Sequence, residues 1–375
     1  MKTINNTTIF LGIIISIFIV ACSEDSPTTP KDEIESKTLG LVFTSDYVNG
    51  ELRWFDIEAD SLSPNKITLA QDSRVIVQGS QVFVLERFGA DNLVRLDPSK
   101  LDQEDASVLY QTSLEDGSNP SDLIALDSQT AWLGLEGSAH LLKINTAVSA
   151  KGKTLKTVDL SKYTVSGNIS PNLIKLSLKG DTLLALLQRL DMYQAKLPGL
   201  IVLLDANEGT ILDTIPLKTN NPTSFAWIEN VLWVSTQGVY NDVYGCNSDS
   251  LRGIESIDFE KKKSTVKFFG KNLGGGVPSF TVDQKNKKIY ASVLGVDGGY
   301  SLAKVDIEKN KISLLDEIED ASGSLYWDAN SDLLFVGDRS FENAKLWGYD
   351  GSSFFEIKGK DVLPPYNMAV ISYEE

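Results

Sequence analysis

Seven times along this chain a short apolar run ends in Asp or Asn, a turn follows, and a second strand-like run comes after it. The seven runs are Leu52–Asp56, Leu93–Asp97, Leu141–Asn145, Ile201–Asp205, Ile254–Asp258, Leu302–Asp306 and Leu346–Asp350. Their Asp/Asn positions lie 41, 48, 60, 53, 48 and 44 residues apart. Self-similarity at this period means one supersecondary unit copied along the chain, each copy burying its apolar faces against its neighbours. A period in the forties that holds several short strands is the length of one four-stranded blade in a radial array of sheets.

Upstream of each run lies another apolar strand, so each unit reads as strands A, B, C and D. In the third unit Leu123–Leu126 reads as A, Ala131–Leu135 as B, Leu141–Ile144 as C and Thr154–Leu160 as D. The B strands, Leu41–Thr44, Val82–Leu85, Trp132–Gly134, Leu183–Leu186, Leu232–Ser235, Ile289–Ser292 and Leu334–Gly337, resemble the degenerate strand of the YVTN-type (YncE-like) seven-bladed β-propeller family. Asn119-Pro120 and Asn221-Pro222 before strand A, with Pro171 and Pro278 in like places, match the turns that open blades in that family. The resemblance spans about residues 39 to 375 and implies an all-β fold of seven four-stranded antiparallel blades. It specifies architecture better than chemistry. Each Asp or Asn that ends strand C is expected to accept backbone N–H groups and hold a hairpin turn, a structural role rather than a catalytic one. The first unit starts directly at strand B, and the chain ends in a lone strand, Tyr366–Ser372. That strand is predicted to supply blade one with its missing A strand and so close the ring.

Charge narrows the partners. A formal net charge of −16 repels phosphate backbones, and Lys261-Lys262-Lys263, the one basic run, falls at a hairpin turn where lysines face water, so no nucleic-acid partner is expected. The two cysteines, Cys22 and Cys246, make no disulfide framework.

The N-terminus reads as an address. An apolar run from Ile9 to Ala21 is short for a membrane span and suits the core of a secretory leader. It ends Phe18-Ile19-Val20-Ala21-Cys22, which resembles the bacterial lipobox and implies acylation of Cys22. Residues 1–21 are thus expected as a lipoprotein signal peptide, 22–38 as a flexible Ser/Thr/Pro/acid-rich tether and 39–375 as the propeller. Ser23 and the acidic run after it resemble surface lipoproteins of Bacteroidetes type, which implies a lipid anchor in the outer membrane, facing the periplasm or the cell surface.

Loops from B to C and from D to the next A share one face of a propeller, the default place for a ligand. Those loops carry Tyr47, Phe88, Tyr193, Tyr240, Tyr244, Tyr300 and Phe341 together with Arg87, Arg189 and Arg339, large flat contacts and forked donors of the kind enriched at recognition surfaces. Two readings of the arginines stay open: a shared electropositive mouth for an anionic group, or separate ion pairs with the preceding acid or a neighbouring blade. The rings, equally, could pack between blades.

Enzymatic patterns are sparse. His140 is the only histidine, which disfavours multi-His metal sites and leaves a Ser-His-Asp arrangement dependent on one residue. Gly274-Gly275-Gly276 lacks the following helix and Lys-Ser/Thr of a phosphate cradle, and neither Asp297-Gly298-Gly299 nor Asn241-Asp242 has the oxygen spacing of a calcium loop. No cofactor or metal is assigned. The leading expectation is a non-enzymatic, membrane-tethered protein that binds a small molecule or oligomer. Resemblance to Bacteroidetes lipoproteins with similar propellers implies a cobalamin-like ligand passed to a TonB-dependent outer-membrane transporter. An envelope interaction scaffold and a lactonase-like hydrolase are the alternatives.

Overall fold

The computed structural model describes residues 36–374 apart from 104–106, 193 and 249–250. The expected signal peptide, Cys22 and the first part of the tether lie outside the described residues, as does Tyr193.

Seven antiparallel sheets of four strands make up the body. Blade three shows the pattern: Pro120–Ala125, Thr130–Leu135, His140–Asn145 and Lys153–Asp159 pair in sequence order. The first strand of every sheet packs against the first strand of the next, all the way round and back to the start, which makes these strands the inner ring. Apolar side chains sit between sheets. The described residues form seven apolar clusters, each spanning two adjacent blades; one joins Phe335, Leu346 and Ile357 of blade seven to Val42, Phe55 and Met368 of blade one. Each blade therefore buries both faces, which is why the B strands read as near-continuous apolar runs rather than alternating ones.

Ring closure follows the expected route. Pro365–Glu374 pairs antiparallel with Ser36–Ser45, with Leu39 opposite Ile371 and Leu41 opposite Ala369. The pairing continues through Ser36, Lys37 and Thr38 opposite Glu374, Tyr373 and Ser372, so among the described residues the first strand already includes the last part of the segment expected as tether. Thr38 Oγ1 meets Ser372 Oγ at 2.8 Å across this pair.

The Asp/Asn that end the C strands do what their repetition implies. Oδ1 accepts a backbone N–H from two or three residues ahead at Asp56 (Glu58, 3.0 Å), Asp97 (Ser99, 3.1 Å), Asn145 (Ala147, 2.9 Å), Asp205 (Asn207, 2.9 Å), Asp258 (Lys261, 2.9 Å), Asp306 (Lys309, 2.9 Å) and Asp350 (Ser352, 2.8 Å). The A-to-B turns on the same face use the same device at Asp127, Asp283 and Asp328. One face of the ring thus carries the pinned turns. The B-to-C and D-to-A loops lie on the other, among them the longest, 160–172 and 237–252.

Candidate functional site

The two faces differ in what they expose. On the loop face Tyr47, Val48, Phe88, Ile169, Met192, Val243, Tyr244, Leu251, Val296 and Phe341 all stand in water. The pinned-turn face exposes Val148 and Val231, and the outermost strands expose Val108, Leu155, Leu212, Phe269 and Leu314 singly. Exposed apolar side chains scattered singly are ordinary, whereas a larger set gathered on one face marks a surface used for contact. Several of these side chains are aimed outward by an uncommon backbone: Tyr47 (φ 67°), Phe88 (φ 44°), Met192 (φ 46°) and Tyr244 (φ 58°) are non-glycine residues in the left-handed region. Such conformations cost about 1–3 kcal/mol each and cluster at functional loops.

Each of the three arginines is engaged by protein partners. Arg339 is spent on ring closure: its guanidinium donates to the carbonyls of Pro364 (3.1 Å), Pro365 (3.3 Å) and Ser45 (3.2 Å), and lies over the rings of Tyr47 (4.8 Å) and Tyr366 (5.1 Å). Arg87 is buried, bridging Asp72 (3.5 Å) and Glu136 of the next blade. Arg189 donates through Nε to the carbonyl of Tyr163 at 3.2 Å. Ion pairing and carbonyl clamping, not a shared positive mouth, is the arrangement present. Three of the predicted rings come near one another, since Tyr300 feels both Tyr240 and Tyr47. Tyr47 joins the Arg339 clamp, and Tyr366 meets it edge-on at 6.1 Å. Burial pushes the hydroxyl of Tyr300 up to about 12, with the nearby Tyr240 and Asp320 adding to the effect. Burial likewise raises Tyr240, against a hydrogen bond from Gln237. Tyr244 and Phe341 project freely into solvent, and Phe88 lines a cleft.

That cleft lies among the loops of blades two, three and four and encloses about 420 Å³, within the usual range of small-molecule sites. Its walls include Phe88, Ile169, Leu190 and Met192; its polar groups are Asp91, Asn119, Glu136, Asn168, Ser170 and Asn172. The floor is tied from blade to blade. Asp91 accepts the N–H groups of Gly117 (2.9 Å) and Asn119 (2.6 Å), and Asn119 Nδ2 donates to Glu136 Oε2 at 3.2 Å. Asn172 Oδ1 accepts Leu190 N–H at 3.0 Å, while Asn168 Nδ2 donates to the Leu190 carbonyl at 2.6 Å. Ser170 Oγ donates to the carbonyl of Glu136 at 2.6 Å. Gly137 is required for steric reasons: a Cβ there would stand 2.0 Å from the Gly117 carbonyl oxygen. Arg87 also lies under the Phe88 ring at 5.2 Å, so the ring is held from behind and open in front.

Sequence reasoning found Phe88 and missed Glu136, Ile169, Asn172 and Met192. Asn119, with positive φ, was legible with Pro120 as a blade-start turn, and that is where a signal lay, since the same amide lines the cleft.

His140 is exposed, and Asp159 lies opposite it in the strand register. Asp159 accepts Ser161 N–H at 2.7 Å and is held below the usual carboxylate range by that bond first and by the Ser161 hydroxyl second. The serine is turned to the acid, not to the imidazole, so these three do not form a nucleophile–base–acid relay. Cys246, in the loop between Thr236 and Gly253, is buried, 1% exposed. Among the described residues no group of three His, Cys, Asp or Glu is placed to hold a metal ion.

No family model matches the chain, and no curated protein matches it in sequence. Solved structures do. A putative 6-phosphogluconolactonase from Bacteroides fragilis aligns at 14% identity with TM-score 0.59, covering 90% of this chain and 98% of that one. A protein from Lactobacillus plantarum aligns at 11% and 0.60, covering 90% and 100%. Citrobacter koseri AztD aligns at 12% and 0.56, covering 91% and 99%. At such identities the likeness is one of fold alone. The seven-bladed propeller is shown; membership of the YVTN-type family within it is not.

Proposed function

We propose that this chain is an extracytoplasmic binding protein, tethered to the outer membrane through a lipid on Cys22, that captures a ligand on its loop-rich face. One observation carries the reading: most of the exposed large apolar side chains gather on that face, around a cleft of small-molecule size, while the opposite face carries the pinned turns. The first described strand adds support. Ser36 lies at the end of blade one that holds the Asp56 turn, because Leu39 pairs with Asp56 and the strand then runs toward the loop face. A tether entering at Ser36 leaves the loop face free to meet a soluble ligand or an outer-membrane transporter.

The test is a thermal-shift screen of the full chain against cobalamin-like cofactors, glycans and siderophores. A ligand at a hundred times its Kd should add about 2.7 kcal/mol of stability. The shift should shrink in Phe88→Ser and Ile169→Ser. A shift untouched by both changes refutes the placement, and no shift from any compound refutes the small-molecule reading. Failure of Cys22→Ala to abolish incorporation of labelled palmitate would remove the anchor.

A second reading, an envelope interaction scaffold, is favoured by the spread of the apolar set beyond the cleft to Tyr244, Val296 and Phe341. Co-purification of one stoichiometric partner that Tyr244→Ser and Phe341→Ser release would favour it. A lactonase-like activity would instead show as lactone turnover abolished by His140→Ala.

A further inference from the structure

Resting on the reading above, we propose that the cleft among blades two, three and four selects a ligand with an apolar body and one positive charge, such as a protonated amine, with Glu136 as its counter-charge.

The argument starts from the charges around the cleft. None of its lining residues is Lys, Arg or His, while Asp91 and Glu136 are both among them. The charged residues behind it are Arg87, Asp72 and Arg74; Arg74 donates to the Ser121 carbonyl at 2.8 Å and feels both Arg87 and Glu136. Counting Asp72, Asp91 and Glu136 against Arg74 and Arg87 leaves one negative charge, and the neighbouring Asp122 is neutralised by Lys175 at 2.9 Å. An anionic ligand would bring a second negative charge into a partly enclosed site with no cation among its lining residues to receive it, which is costly.

Glu136 is also the group with capacity to spare. Asp91 is buried and already accepts from Gly117, Ser118 and Asn119 through both oxygens. Glu136 is held through Oε2 alone, by Arg87 and Asn119, which fixes the carboxylate and leaves Oε1 to accept from a ligand. Its side chain is 18% exposed, so a charge-assisted hydrogen bond formed there is shielded from most of the competing water. Around this acceptor stand Phe88, Ile169 and Met192, which are 58%, 83% and 82% exposed and gain by being covered. Met supplies an adaptable surface, and the open face of Phe88 a further attraction for a cation.

The test uses three probes with one apolar body: 4-phenylbutylamine (cationic at neutral pH), 4-phenylbutan-1-ol (neutral) and 4-phenylbutyrate (anionic). The chain has three methionines, Met1, Met192 and Met368, so methyl-labelled methionine gives a reporter in the cleft, with the buried Met368 as internal control. Each probe is titrated against the full chain by NMR, and Met192→Leu assigns the signal. The amine should move the Met192 methyl with a Kd about tenfold below that of the alcohol, the difference between a charge-assisted and a neutral hydrogen bond, and butyrate should be weakest. In Glu136→Gln the amine's lead should fall to about twofold; the ranking on the wild-type chain decides the matter even if that variant is misfolded. Equal or tighter binding of the alcohol or of butyrate at Met192 overturns the charge assignment while leaving the cleft as a binding site. Silence of Met192 toward all three overturns the proposal outright, whatever the ligand screen returns.

Discussion

Arg339→Ala separates a clamp from a ligand donor. The side chain makes three charge-assisted hydrogen bonds to carbonyls on either side of the closure and packs between two tyrosine rings. Hydrogen bonds to charged groups contribute roughly 1.5–3 kcal/mol each when counted singly. They are not additive, and the Pro364 carbonyl keeps Ser45 N–H at 2.9 Å as a second partner. A net loss of roughly 3–5 kcal/mol is therefore expected, with the cation–ring contacts inside that figure. For the domain running from Ser36 to Glu375, an unfolding entropy near 2.1 cal/mol/K per residue amounts to about 0.7 kcal/mol/K, so the melting temperature should fall by about 4–7 °C. Differential scanning calorimetry of the full chain reads this directly. Arg339→Lys keeps the charge but not the planar fork, and should recover less than half of the loss. Binding of 4-phenylbutylamine at Met192 should stay within about twofold, because blade seven lies away from blades two to four. A melting temperature within about 1 °C of wild type would refute the clamp, and a simultaneous loss of binding would restore Arg339 to the ligand site.

Removing residues 366–375 should abolish the cooperative transition altogether: the strand buries Met368, Ala369 and Ile371, and losses of about 2–5 kcal/mol per large apolar side chain rival the whole stability of a typical domain. Gly137→Ala should lower the melting temperature by a few degrees and shift the Met192 methyl signal, since overpacking against the Gly117 carbonyl costs roughly 1–3 kcal/mol; an unchanged spectrum would show that the wall does not depend on this glycine. Acid should act through the turns. Asp306, held chiefly by Lys288, and Asp350, held chiefly by the Ser352 hydroxyl, both titrate at about 2. Their folded values lie below the unfolded value near 3.9, so their stabilisation is complete above pH 4 and is lost as pH falls toward 2. Asn at both positions keeps the turn acceptor and should flatten the fall in melting temperature over that window; an unaltered slope would rule these carboxylates out.

The architecture was legible because it is written in local, repeated chemistry. An Asp that pins a turn binds residues two or three ahead, so its purpose can be read at short range and checked seven times. Closure was legible because a lone strand at one end matched a missing strand at the other. The arginines were not: Arg339 reaches Ser45 across 294 positions of sequence and Arg87 reaches Glu136 across 49, and nothing near either residue announces its partner. The cleft was half hidden for the same reason. Its aromatic ring stood out by type, whereas Ile169 and Met192 look like ordinary core residues until the fold leaves them in water.

The first and last strands of the domain lie side by side, and Ser36–Ser45 is enclosed by partners on both edges, Pro365–Glu374 and Gly50–Asp56. A pull applied at Ser36 runs along that strand and at right angles to its inter-strand hydrogen bonds. The load is then shared by all of them at once in shear, rather than peeling them apart singly. Were the chain fastened here, as the proposed tether would fasten it, the place of attachment would also be the place where the ring is locked.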